Sequence, residues 1–210
     1  MIKIFIADDH ILIREGFKKI IDNETDMKTI GDAKNAEEIM NFVKNNTCDV
    51  IVLDIGLPDR NGLDVLKDIK AINRDIKVLI LSMHPEERFA LRALKSGALG
   101  YITKESAPEE LVKAIRKVVT GRQYISETLS EQLAINFIGE SEIKPHETLS
   151  DREFQVLVMI GNGKPMSLIA DELSLSVSTI NTYRQRILEK IKLNSNAGII
   201  HYVLKNGLAD

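Results

Sequence analysis

Four short apolar runs each stop at a polar residue, and this repeated junction restricts the chain to very few folds. The runs are Ile2-Lys3-Ile4-Phe5-Ile6-Ala7, Val50-Ile51-Val52-Leu53, Val78-Leu79-Ile80-Leu81 and Gly100-Tyr101-Ile102-Thr103. They are rich in β-branched residues and, with few polar interruptions, read as strands buried on both faces. The residues that follow them are Asp8 and Asp9, Asp54, Ser82 and Lys104. A further strand fits 28–33, and segments of helical period fit 12–21, 36–44, 63–72, 86–94 and 108–119. Strand and helix therefore alternate five times, which specifies an α/β doubly wound five-stranded parallel sheet with helices on both faces. In such a sheet the ligand crevice lies beyond the carboxyl ends of the strands, so the polar residues are expected to converge there.

Beyond this region the strand signal fades. A short helix is expected over 126–138, and the polar, proline-containing stretch from Gly139 to Glu147 reads as a linker. Four helices are then expected over 151–160, 166–173, 177–191 and 197–206, forming a small all-α domain. Ser106 with Glu109 and Ser150 with Glu153 have the spacing of capping boxes, and Gly121 and Gly163 read as helix stops. The expected organisation is a first domain over 1–121, a linker with a short helix over 122–147, and a helical domain over 148–210.

No apolar run approaches the roughly 18 residues of a membrane span, and the N-terminus enters a strand without a cleavable signal, so a cytoplasmic protein is expected. Cys48 is the only cysteine, which excludes an internal disulfide and a cysteine metal framework. The formal net charge of -3 argues against indiscriminate nucleic-acid binding by the whole molecule but leaves room for a local basic face.

Asp8, Asp9 and Asp54 at neighbouring strand ends would place three carboxylates close together, which is unfavourable without a cation among them. Hard oxygen donors suit Mg²⁺, which commonly binds through one or two carboxylates together with water and phosphate oxygens. A carboxylate nucleophile, a metal, the Lys104 ammonium and the Ser82 hydroxyl together suit phosphoryl transfer to an aspartate. Each residue also has a plainer role open to it: the aspartates as helix caps, Ser82 as a loop residue, Lys104 as a solvated cation, Tyr101 as a packed strand aromatic.

Asp8-Asp9-His10, the stretch from Leu53 to Gly62 (Leu-Asp-Ile-Gly-Leu-Pro-Asp-Arg-Asn-Gly), Leu81-Ser82-Met83 and the stretch from Gly97 to Lys104 (Gly-Ala-Leu-Gly-Tyr-Ile-Thr-Lys) resemble the receiver domain of bacterial two-component response regulators. The resemblance covers about the first 120 residues. It implies Asp54 as the phosphoacceptor and Asp8 and Asp9 as Mg²⁺ ligands, assisted by Asp54 and the Gly56 carbonyl. It further implies Lys104 as the salt-bridging switch residue, Ser82 as a hydrogen-bond donor to the phosphoryl group, and Tyr101 as an aromatic that swings inward. Many receivers carry a proline after the lysine, often with a cis peptide; here Glu105 follows, which leaves the local peptide geometry open.

In the helical region, two helices separated by Ser174-Leu175-Ser176 have helix-turn-helix spacing. On the second, Val177, Ile180, Ile187, Leu188 and Ile191 share one face, and Ser178, Thr182, Gln185, Arg186 and Glu189 the other. Between Ser176 and Lys192 four cations oppose one carboxylate, a net of +3, which reads as a local DNA footprint or as the solvated face of a protein-binding bundle. Leu149-Ser150-Asp151-Arg152-Glu153, Ile169-Ala170, the stretch from Ser176 to Arg184 and Leu188-Glu189-Lys190-Ile191 are similar to the LuxR-type DNA-binding domain.

Taken whole, the chain resembles a NarL/FixJ-family regulator. The resemblance implies Asn181, Thr182 and Gln185 in the major groove and Thr179, Arg184, Arg186 and Lys190 chiefly on phosphates. It also implies a sensor histidine kinase, promoter DNA, and a homodimer when phosphorylated, in a transcription regulator rather than an enzyme. Ser178 and Tyr183 depart from the lysine and histidine common at those positions, which bears on the preferred DNA sequence. Two other classes share part of this pattern. An aspartyl-phosphate hydrolase would place a second aspartate where Gly56 stands; a receiver with a protein-binding output would lack a salt-dependent DNA shift.

Overall fold

The computed structural model describes residues 1–126, 129–130 and 144–209. The chain divides into two compact units, Met1–Gly139 and Glu140–Asp210. The helix expected over 126–138 and the first half of the expected linker fall largely outside the described residues.

In the first unit β1 (Ile2–Ala7), β2 (Met27–Ala33), β3 (Val50–Asp54), β4 (Lys77–Ser82) and β5 (Gly100–Thr103) form one parallel sheet in the order β2-β1-β3-β4-β5. Between them run α1 (Ile11–Asp22), α2 (Ala36–Asn45), α3 (Gly62–Ile72) and α4 (Glu86–Lys95), with α5 (Ala107–Val119) closing the unit. Because side chains alternate across a strand, one set faces one layer of helices and the other set the opposite layer. Ile4, Ile6, Val50, Val52, Leu79, Leu81 and Ile102 pack against Phe17 and Ile21 of α1 and Leu111, Ala114, Ile115 and Val118 of α5. The intervening Phe5, Ile51, Leu53, Val78 and Ile80 are buried as well, and the Phe5 ring stacks on Phe42 of α2 at 3.9 Å. Cys48 is buried and its thiol is pushed up to about 12, chiefly by burial and then by the charge of Asp49.

Local signals explain most of the boundaries. Asn35 caps α2 by accepting from Glu38 N at 2.9 Å, and Asn61 caps α3 by accepting from Leu63 N at 2.8 Å. The box expected from Ser106 and Glu109 does not form. Ser106 sits in helical conformation (φ -81°, ψ -16°), and its hydroxyl is bonded to Thr103 O and Glu110 Oε2 instead.

The second unit opens with a 3-10 turn, Pro145–Thr148, followed by α6 (Asp151–Gly161), α7 (Met166–Glu172), α8 (Val177–Ile191) and α9 (Asn196–Lys205). Here the capping box is complete: Ser150 Oγ accepts from Glu153 N at 3.3 Å, and Glu153 Oε2 accepts from Ser150 N at 2.8 Å. Phe154, Ile169, Ile180, Ile187, Ile199 and Val203 fill the interior. Gly161 lets α6 approach α9 closely, since a Cβ there would lie 2.4 Å from a Val203 side-chain carbon. Val177, expected on the apolar face of α8, is 45% exposed at the first position of that helix, whereas Ile180 further along is fully buried.

Candidate functional site

The carboxyl ends of the strands converge as the sequence pattern requires. Asp8 follows β1, Asp54 ends β3, Ser82 ends β4 and Lys104 follows β5. The Lys104 Nζ lies 2.6 Å from Asp8 Oδ2 and 2.7 Å from Asp54 Oδ2, and all three side chains are buried, with Asp8 at 0% exposure. The contact to Asp54 is a hydrogen bond, whereas the one to Asp8 is an ion pair without hydrogen-bond alignment, leaving Asp8 Oδ2 without a hydrogen-bond partner.

Two buried carboxylates therefore share one buried ammonium. Burial pushes the Asp54 carboxyl above the usual carboxylate range; Lys104 opposes that rise and the Asp8 charge adds to it. Burial works against the Lys104 ammonium too, yet Asp54 and Asp8 outweigh it and hold lysine above its ordinary value. The excess of negative charge and the donor set fit a small divalent cation. Ligand atoms of Asp8, Asp9, His10 and Asp54 all lie within 4.8 Å of one another.

The neighbouring loops are firmly held. The Asp54 carboxylate accepts from Gly56 N at 2.9 Å. Gly62 N donates to Ile55 O at 2.9 Å, and a Cβ on Gly62 would fall 2.2 Å from the Asp54 carbonyl oxygen, so the start of α3 abuts the end of β3. Ser82 Oγ accepts from His84 N at 3.0 Å, which orients the hydroxyl at the end of β4.

In the second unit, Ser176 caps α8 by accepting from Thr179 N at 3.1 Å. Asn181, Thr182, Gln185 and Arg186 are exposed on α8, and Thr179 is half-buried with its hydroxyl 2.8 Å from Ser176 Oγ. Two of the cations already have partners. Arg184 Nε donates to Asn196 Oδ1 at 2.5 Å, and Lys190 Nζ donates to the buried Glu153 at 2.6 Å. Burial raises Glu153, but Lys190 and the Ser150 N–H outweigh it and hold the carboxyl below its ordinary value.

Residues 4–116 match the family model for the response regulator receiver domain, and residues 147–203 match that for bacterial regulatory proteins of the luxR family. The chain belongs to the NarL/FixJ family of response regulators. It is 32% identical over 211 residues to response regulator UvrY of Escherichia coli (strain K12), covering 100% of this chain and 97% of UvrY. It is 34% identical over 211 residues to response regulator GacA of Pseudomonas aeruginosa, covering 100% of this chain and 99% of GacA. Among solved structures, a LuxR-family two-component response regulator from Aurantimonas sp. SI85-9A1 is similar, with a TM-score of 0.61 and 32% identity over 66% of this chain and 99% of that one.

The response regulator is accordingly a transcription regulator and not an enzyme, with a receiver domain and a LuxR-type helix-turn-helix domain. Among its described residues no helix is long and apolar enough to cross a membrane. In the receiver, Tyr101 is 2% exposed, its hydroxyl donating to His84 O at 2.9 Å. No peptide bond among the described residues is cis, so the bond after Lys104 is trans with Glu105 in place of proline.

Three further side chains of the first unit, none of them ending a strand, make bonds that the strand pattern does not announce. His10 precedes α1, and its Nδ1 lies 2.7 Å from Asp9 Oδ1. Asp59, on the loop after Asp54, caps α2 from outside, accepting from Ala36 N at 2.9 Å and Glu37 N at 3.3 Å. Arg14 is the third.

Proposed function

We propose that this response regulator is switched by phosphorylation: a sensor histidine kinase transfers a phosphoryl group to Asp54, and the modified protein dimerises and binds promoter DNA in the cytoplasm. The receiver would span 1–121, a linker 122–147 and the DNA-binding domain 148–210. The observation that carries this reading is the Lys104 ammonium shared between Asp8 and Asp54 at 2.6 and 2.7 Å in a pocket where carboxylates outnumber cations.

In this reading an Asp54 carboxylate oxygen attacks the phosphorus of a phosphohistidine. The P–O bond forms as the P–N bond breaks, and the imidazole leaves and takes up a proton. Asp8, Asp9, Asp54 and the Gly56 carbonyl would hold Mg²⁺, which when bound offsets the negative charge of the acids and of the phosphoryl oxygens. Lys104 is then drawn from its shared position toward a phosphoryl oxygen, and the Ser82 hydroxyl donates to another. Both residues pull on the β4 and β5 ends, and Tyr101, bonded to the backbone between them, is the side chain whose position reports the change. A phosphoryl group adds about -1.5 to -2 charges. It shifts the receiver only by as much as it binds one conformation better than the other.

On DNA, Asn181, Thr182 and Gln185 would read base edges, and Thr179, Arg184, Arg186 and Lys190 would contact the backbone. Arg184 and Lys190 reach phosphates only by sharing or leaving Asn196 and Glu153, so Arg186 is the cation expected to dominate the salt dependence.

The test is acetyl-phosphate labelling of the wild type and of Asp54→Ala in Mg²⁺, followed by gel shifts on promoter fragments at rising salt. Label should vanish in Asp54→Ala, and the shift should weaken steeply with salt. Equal labelling of the variant would exclude Asp54, and a salt-independent or absent shift would exclude promoter binding by α8.

A further inference from the structure

Asp8 is held through both its backbone and its side chain. Its N–H donates to Ala33 O at 3.1 Å, one carboxylate oxygen accepts from His10 N at 2.8 Å, and the other faces Lys104. Its carbonyl is taken by a side chain: Arg14 Nη1 donates to Asp8 O at 2.6 Å. Arg14 sits on α1 and is 9% exposed. Its Nε donates to Asp32 Oδ2 at 2.8 Å, and the other oxygen of Asp32 lies 2.8 Å from Lys18 Nζ.

We infer that Arg14 is a positioning residue for the cation site, a clamp between Asp32 and the Asp8 carbonyl that presents the Asp8 and Asp9 carboxylates before a metal arrives. The inference rests on the reading of the acidic pocket given above. The peptide between Asp8 and Asp9 is a rigid plane, and its carbonyl direction fixes the adjoining torsions of both residues. Two ligand side chains leave the backbone on either side of that plane, so a donor fixed to the carbonyl sets the direction of both.

A buried guanidinium is tolerated only when its donors are satisfied by opposite charge and hydrogen bonds. Asp32 supplies the charge: burial raises its carboxyl, but Lys18 and Arg14 outweigh this and hold it below the ordinary aspartate value. The planar fork of arginine directs two donors to two divergent acceptors at once, which a lysine ammonium on a flexible stem cannot do with the same rigidity. Partners one step removed from a metal typically alter its affinity by about 10- to 100-fold when replaced.

The experiment is calorimetric titration of the full chain with Mg²⁺ alone, for the wild type, Arg14→Gln, Arg14→Lys, Asp32→Asn, Lys18→Met and Asp9→Asn, with the Mg²⁺ dependence of acetyl-phosphate labelling measured in parallel. Arg14→Gln is expected to weaken Mg²⁺ binding about tenfold and to shift the Mg²⁺ midpoint of labelling by the same factor. The labelling extent at saturating Mg²⁺ should be unchanged, a split that a general loss of folding would not give.

Arg14→Lys should fail to restore the affinity, Asp32→Asn should weaken it in the same direction, and Lys18→Met, which touches Asp32 but not Asp8, should stay within about twofold. An unchanged Mg²⁺ dissociation constant in Arg14→Gln, or full rescue by lysine, would overturn the clamp. Should Arg14→Gln not fold, Arg14→Lys and Asp32→Asn decide, and wild-type affinity in both overturns it. Failure of the underlying reading looks different: the wild type would bind no Mg²⁺, or Asp9→Asn would bind it as well as the wild type.

Discussion

The carboxyl end of the receiver sheet and the exposed face of α8, the two places where the proposed function puts phosphate-bearing partners, are built in opposite ways. The first gathers residues far apart in the chain, with Lys104 paired to Asp54 across 50 positions, and buries their charges in a rigid backbone frame. The second uses side chains from consecutive turns of one capped helix, with Asn181, Thr182, Gln185 and Arg186 left exposed. A buried site made by long-range contacts should be intolerant of small backbone changes, whereas an exposed face should tolerate single truncations and lose only the contact removed.

The largest expected effect follows from that contrast. Gly62→Ala puts a methyl group 2.2 Å from the Asp54 carbonyl oxygen, with the Ile55 Cα also within 2.7 Å. Both obstacles are backbone, so the cost should be about 3 kcal/mol or more, read as a lowered urea midpoint together with loss of phosphoacceptor labelling. A variant as stable as the wild type would break the comparison at its rigid end. On α8, Gln185→Ala should leave stability unchanged and cost about 1–3 kcal/mol of discrimination at one base pair. Arg186→Ala should instead weaken binding evenly across sequences and reduce the salt slope by about 1. Competition binding against single-base variants over a range of salt separates the two outcomes.

Glu153 sharpens the comparison, because there α8 is tied to a buried charge through Lys190. Its carboxyl caps α6 and receives Lys190. Glu153→Gln should cost about 1–2 kcal/mol at neutral pH. Since the folded carboxyl titrates below its ordinary 4.5, its contribution is present above that value and is lost as pH falls through the lower folded value. Urea unfolding at stepped pH should therefore show a shallower acid decline below 4.5 in the variant than in the wild type. The smallest effect is a gain. Lys192 ends α8 in left-handed conformation at φ 59°, and Lys192→Gly should stabilise by up to about 1 kcal/mol, visible as a rise in thermal midpoint.

The sheet, its helices and the strand-end acids were legible because burial imposes a pattern on consecutive residues, and among these elements the structure moves no end by more than one residue. The Ser150 box was legible and formed. The Ser106 box was not formed, because Ser106 already has helical torsions and its hydroxyl turns to Thr103 O and Glu110. Arg14 and Asp59 escaped the sequence reading for a common reason. Arg14 bonds a backbone carbonyl and an acid 18 positions away, and Asp59 bonds backbone N–H groups 23 and 22 positions away. Backbone partners carry no residue signature, so only the folded chain reveals them. The same holds for Lys190 and Arg184, whose charge is plain in sequence but whose pairing with Glu153 and Asn196 is not.

Cys48, buried and with its thiol pushed well above the ordinary value chiefly by burial, has a practical consequence. Maleimide chemistry at neutral pH should pass it by, so a cysteine introduced on each unit's surface could receive a fluorophore or spin probe without first deleting the native one. The two labels would then test whether acetyl phosphate alters either unit.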